Sequence, residues 1–143
     1  MKLRKHKDAQ ERRVERETLL PAEPDEVWEA LTDEERLAEW LAPEVELEPF
    51  EGGEIAVRDG DDERTGTVVT VIERELLTFT WSRPGAKPSR VEWIVEAIPA
   101  GTRLTVIETA GPRAVAGIRP RAATAWAPRL ARLGRALALA PVA

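Results

Sequence analysis

Apolar positions recur at two kinds of spacing along the chain, and the switches between them mark its elements. Residues 13–20 read RVERETLL, with Val14, Thr18 and Leu20 set between charged side chains, which predicts a half-buried first strand. Pro21 and Pro24 stop it. In DEVWEAL the acids occupy a first turn and Val27, Trp28 and Leu31 follow at helical spacing, predicting a short helix. Thr32 to Glu35 reads T-x-x-E, a capping box that predicts a second helix through Leu37, Trp40 and Leu41, ended by Pro43. Helices this short are not stable alone, so each must dock its tryptophan, Trp28 or Trp40, on something larger.

From residue 44 to 109 the period shortens toward two, and turn signals recur as PFEGG, DGDD, ERE, RPGAKP and PAG. Strands are predicted at residues 44–48, 54–58, 64–73, 76–82, 90–98 and 102–109. Connections too short for helical crossovers make the neighbours antiparallel. Within RVEWIVEA, Val91, Trp93 and Val95 share one face while Glu92 and Glu96 take the other. The last segment, residues 124–139, returns to helical spacing, and Trp126, Leu130, Leu133 and Leu137 occupy an arc about 60° wide at ~100° per residue. Ala127, Ala131, Gly134 and Ala138 flank this stripe on one side and arginines surround it on the other; Pro128 predicts a kink or a late start.

Composition narrows the function. The 143 residues, 43% hydrophobic and 33% charged, suit one domain, expected at residues 12–140 after a flexible basic tail at 1–11. No apolar run reaches the ~18 residues of a membrane span. The opening MKLRKHK is followed by DAQERRVERE rather than an apolar stretch, so no secretory signal is read and the cytoplasm is expected. With no cysteine and a single histidine, His6, thiolate chemistry is excluded and most hydrolytic and metal chemistry with it. The net charge is −5, yet nothing after Glu108 is acidic, and Arg113, Arg119, Arg121, Arg129, Arg132 and Arg135 make the C-terminal quarter cationic. A solvated helix face balancing the acidic sheet accounts for this better than a nucleic-acid surface. Five tryptophans with no tyrosine and two phenylalanines concentrate the aromatic surface in wide, rigid side chains that each carry an N–H.

Taken in order, PDEVWEALTDEERLAEWL, EGGE, GTVVTVIERELLTFTW, GTRLTVIETAG and the W-x3-L-x2-L of the final helix resemble the START-like SRPBCC superfamily, and within it the activator of heat-shock protein 90 ATPase homologue group. The likeness runs over residues 14–139. It implies an α+β helix-grip fold, a curved antiparallel sheet of about seven strands wrapped around a long C-terminal helix, with a cavity between them. Such cavities often hold apolar small molecules, while other members of the family act through protein contacts or carry chemistry. No universal catalytic set comes with the fold. Strand and helix alternation instead nominates cavity-lining residues: Trp81, Trp93, Val95, Leu104, Val106 and Glu108 on the strands, and Trp126, Leu130 and Leu133 on the helix.

Glu108 shares a side with Leu104 and Val106, so a carboxylate is expected to face the helix. Loss of water there penalises the charged form and makes it a candidate acid, base or ligand anchor, unless Arg113, Arg119 or Arg121 pairs with it. Glu44, Glu46 and Glu48 read as an edge-strand row rather than a metal site, Asp59 to Asp62 as a hairpin turn rather than a calcium loop, and Gly52-Gly53 as a turn. The leading expectation is a protein that binds a small apolar ligand, with no cofactor, metal or assigned catalytic residue. A chaperone-binding module with a role in the stress response comes second, and a cyclase or hydrolase acting on an apolar substrate third. Neither nucleic acid nor membrane is expected as a partner, and monomer and homodimer both remain open.

Overall fold

The computed structural model describes residues 12–110 and 119–138, with side chains over 13–110 and 126–138. Strand β1 (Arg12–Leu20) leads into helices α1 (Pro24–Thr32) and α2 (Glu34–Trp40). Six strands follow: β2 (Glu44–Leu47), β3 (Glu54–Asp59), β4 (Asp62–Ile72), β5 (Leu76–Ser82), β6 (Ser89–Ile98) and β7 (Gly101–Ala110). Helix α3 (Arg119–Ala138) ends the described chain. All neighbouring strands are antiparallel, and the spatial order of the seven is β1-β7-β6-β5-β4-β3-β2. The first strand therefore closes onto the last, while the two helices carry the chain to the far edge. This is the helix-grip architecture expected from the pattern.

Two boundaries differ from the sequence reading. Asp33, not Thr32, caps α2: its carboxylate accepts from the Arg36 amide at 3.2 Å. The Thr32 hydroxyl bonds back to the Trp28 carbonyl at 2.8 Å, which extends α1 by the residue the capping box would have taken. Helix α3 does not start late; it begins at Arg119 and continues through Pro128.

The concave face is built by the inward set of each strand: Ile55 and Val57 from β3, Val68 from β4, Leu77, Phe79 and Trp81 from β5, Val91, Trp93 and Val95 from β6, and Leu104 and Val106 from β7, all buried. Against it lie Leu37, Trp40 and Leu41 at the end of α2 and the predicted stripe of α3, Trp126, Leu130, Leu133 and Leu137, also buried. The small flank of α3 plays no part in this contact. Ala127, Ala131 and Ala138 are exposed, and among the described residues nothing lies within 4 Å of a Cβ built on Gly134. Gly66 has the opposite role: it pairs with Trp81 across β4 and β5, and a Cβ there would meet the backbone of Thr80 and Trp81. Only glycine lets these two strands approach so closely.

Candidate functional site

Trp40, Phe79, Trp81, Trp93 and Trp126 form one connected layer. Phe79 contacts Trp81 and Trp93 edge-on at centroid distances of 5.2 and 5.1 Å; Trp126 stacks on Trp81 at 5.9 Å and meets Trp93 edge-on at 6.4 Å. Each such pair contributes about 0.5–1.5 kcal/mol beyond simple burial. Trp40 joins at 5.4 Å from Trp93 and donates its own N–H to the Ala30 carbonyl at 3.0 Å, fastening α2 to α1. Trp28, by contrast, is only half-buried at the margin of the core.

Glu108 organises one end of the layer. Its inward position on β7 is opposite Val91 on β6 and Val14 on β1, the register that alternation anticipates. The carboxylate is 6% exposed. Oε2 accepts from the Trp81 indole at 2.9 Å and from the Ser89 hydroxyl, and Oε1 accepts from the Trp126 indole at 2.7 Å. A strand residue and a helix residue are thereby tied through one carboxylate, which joins sheet to grip helix by charge-assisted hydrogen bonds. Among the described residues these donors are two indoles and a hydroxyl rather than an arginine; Arg113 and the side chains of Arg119 and Arg121 lie outside the described residues.

Two arginines of α3 approach the same region. Arg129, 7% exposed, donates from Nε to the Leu41 carbonyl at 3.1 Å, and half-buried Arg132 donates to the Trp40 carbonyl at 3.3 Å. These oxygens belong to the end of α2, which has no basic residue in its own last turn. A helix end leaves carbonyls without intrahelical partners and attracts positive charge, so α3 supplies from outside what α2 lacks. The Arg129 guanidinium also lies 5.2 Å from the Trp126 ring centroid and 5.6 Å from that of Trp81, within cation–π range. Its Nη1 is buried and has no acceptor among the described residues.

On the sheet side, Arg64 of β4 faces inward with its guanidinium 4.8 Å from the Trp81 ring. Asp62, two residues earlier on the same face, lies 3.4 Å from Arg64 and 3.0 Å from Arg83. Burial works against the charged Asp62, but hydrogen bonds and positive charge from Arg83 and Arg64 outweigh it and hold the carboxyl below its ordinary value. For Arg129, burial pulls the pKa down to about 10, and the Arg64 charge adds to that effect; Glu108 and Asp62 oppose it and Arg132 reinforces it. The group stays cationic at neutral pH.

The nine nominated residues are all buried: eight belong to one hydrophobic core, and Glu108 is hydrogen-bonded to two of those eight. Trp81, Trp93, Glu108 and Trp126 form the aromatic layer and its carboxylate, with Leu130, Leu133, Leu104 and Val106 in the surrounding core. Val95 also borders a separate surface hollow of about 360 Å³ with Glu23, Asp25, Glu73 and Arg74. Sequence reasoning missed Arg64, Arg129 and Ser89. Alternation does place Arg64 on the Val68 side of β4 and Ser89 on the Trp93 side of β6, whereas the partner of Arg129 is 88 residues away in sequence.

Solved structures of similar shape include DynU16, a protein of the dynemicin biosynthetic locus, at TM-score 0.80 and 30% identity over 89% of this chain and 47% of the other. The chain thus spans about half of that protein's length. A Mesorhizobium loti protein matches at TM-score 0.83 and 22% identity, covering 92% of this chain and 100% of its own. The Aha1 dimer from Colwellia psychrerythraea, a solution structure, matches at TM-score 0.78 and 17% identity, with coverage of 90% and 97%. The last two are likenesses of fold alone. No curated protein matches the chain. The profile of the family described as Activator of Hsp90 ATPase homolog 1-like protein matches residues 21–138, most of the domain, and the chain belongs to that family.

Proposed function

We propose that this protein binds a small, predominantly apolar molecule bearing an acceptor oxygen, held between the concave face of the sheet and α3. The observation that carries the reading is the indole N–H of Trp93. It sits at the centre of the aromatic layer, has no exposed surface and finds no acceptor among the described residues. Leaving such a donor unpaired costs about 1–3 kcal/mol, and a core built for stability alone is better served by phenylalanine. A ligand oxygen placed there relieves the cost.

Trp93 and Trp126 are both 0% exposed, so the ligand does not enter an empty chamber. It must take over contacts that the core now makes with itself, which requires α3 to swing away from the sheet. Binding then draws on whatever open fraction exists, and the apparent affinity falls by that fraction. Flat aromatic and acyl bodies suit the walls, because they can restore the stacking and area that opening removes. The carboxylate of Glu108 already accepts three hydrogen bonds, so its role in this reading is to hold the two tryptophans in place rather than to move protons.

Native mass spectrometry of gently purified protein, followed by tryptophan-emission titrations with fatty acyl, polyketide-like and aromatic compounds, tests the proposal. Retention of a compound from one of these classes, with a change in emission, is expected. Failure of every class to bind at tens of micromolar contradicts it.

A further inference from the structure

Positive charge collects at the Trp81 end of the aromatic layer beyond what the fold uses. Around Arg129 the charges that act on it are two cations, Arg64 and Arg132, and two carboxylates, Glu108 and Asp62, and Arg83 draws on the second of these as well. Asp62 is divided between Arg83 and Arg64. Both oxygens of Glu108 are occupied by neutral donors. Arg64 and Arg129 approach the same indole ring, which puts their guanidinium carbons within about 10 Å of each other. Capping α2 explains the Nε bond of Arg129, but it does not explain a buried Nη1 without an acceptor or a second cation on the same ring. The Arg64 side chain is itself only 14% exposed, so water offers it little screening.

We infer that the ligand carries, besides the acceptor oxygen that meets Trp93, a carboxylate head seated between the guanidinium groups of Arg129 and Arg64 at the edge of Trp81, with its apolar body running along the layer past Trp126 to Trp93. This rests on the ligand-binding reading above and names the class of ligand that reading leaves open. An anion there accepts the unpaired Nη1, relieves the repulsion between the two cations and makes charge-assisted bonds in a poorly solvated setting. The low position of the Arg129 pKa, near 10, has the same origin: a cation held where neighbouring positive charge and burial both oppose it.

The test uses matched pairs, naphthalene-2-carboxylate against naphthalene-2-carboxamide and dodecanoate against dodecanamide, titrated by tryptophan emission and calorimetry. In the wild-type protein each carboxylate is expected to bind about tenfold or more tighter than its amide, the scale of a charge-assisted contact. Arg129→Met and Arg64→Met are each expected to bring the carboxylate down to the level of the amide and to leave the amide within about twofold. Arg64 bonds only to Asp62 among the described residues, so the Arg64 variant carries the test if the Arg129 variant loses its fold by near-ultraviolet circular dichroism. Equal binding of carboxylate and amide to the wild type overturns the inference and leaves the ligand-binding reading standing. A carboxylate preference that survives in Arg64→Met also overturns it, because the head is then seated elsewhere. No binding by any of the four compounds overturns the inference together with the reading beneath it.

Discussion

Glu108 and Arg129 are buried almost equally, at 6% and 7% exposure, yet the fold serves them very differently. Glu108 has donors on both oxygens, from β5, β6 and α3, and the structure closes around it. Among the described residues Arg129 has one bond, to the end of α2, an unpaired nitrogen and a like charge nearby. A buried charge that is fully paired behaves as a fastening, whereas one left short of partners marks a place where something else completes the set. The same contrast appears in two tryptophans of the layer: the Trp126 N–H is used and the Trp93 N–H is not.

The comparison breaks first at Glu108. Replacing it with leucine strips the acceptor from two indoles and a hydroxyl, and a loss of about 3–5 kcal/mol is expected in urea unfolding. At a few degrees per kcal/mol the melting temperature then falls by roughly 10 °C or more. A loss below about 1 kcal/mol removes the fastening role. A sharper version sets Trp126→Phe against Trp93→Phe. Both delete the same volume, but only the first deprives Glu108 of a donor, so Trp126→Phe is expected to be about 1–3 kcal/mol the more destabilising. Equal losses in the two variants mean that the unpaired N–H of Trp93 is not a real cost.

Arg129→Met should affect stability less than either change at Glu108 or Trp126, by about 1 kcal/mol, since it removes a bond to α2 but also relieves a buried cation. A loss as large as that of Glu108→Leu contradicts the distinction drawn between the two charges. The smallest effect is expected at Asp62. Its folded pKa lies below the ordinary 3.8, so its contribution is fully present above that value and is lost as pH falls through the lower folded value. Stability measured across this acid range should drop less steeply in Asp62→Asn than in the wild type. Parallel curves would show that the Arg64 and Arg83 contacts add nothing.

Local pattern carried most of the fold and little of the site's wiring. Period-two alternation located the strands closely because one face of the sheet is buried throughout, and the Trp126, Leu130, Leu133 and Leu137 stripe survived intact in α3. The α2 cap was misread because Thr32 and Asp33 both make chemically sound caps, and the choice depends on where α1 stops. For Glu108, alternation gave the facing but not the partners: the side chain points inward as expected, and among the described residues its donors are the Trp81 and Trp126 indoles and the Ser89 hydroxyl, which alternation alone does not name. Arg129 was hidden more completely. It lies off the apolar stripe, where an arginine ordinarily reads as solvent-facing, and the docking of α3 against α2 and against Trp81 of the sheet buries it.

The central claim is that ligand binding gives the indole of Trp93 the acceptor it lacks. A proton–nitrogen correlation spectrum resolves the side-chain N–H groups of the five tryptophans and reads this directly. On saturation with 6-acetylnaphthalene-2-carboxylate, whose ketone oxygen lies at the end of the ring away from the carboxylate, the Trp93 resonance is expected to move downfield the most, while that of Trp40, already bonded to the Ala30 carbonyl, stays nearly still. Saturable binding that leaves the Trp93 signal in place would contradict the claim.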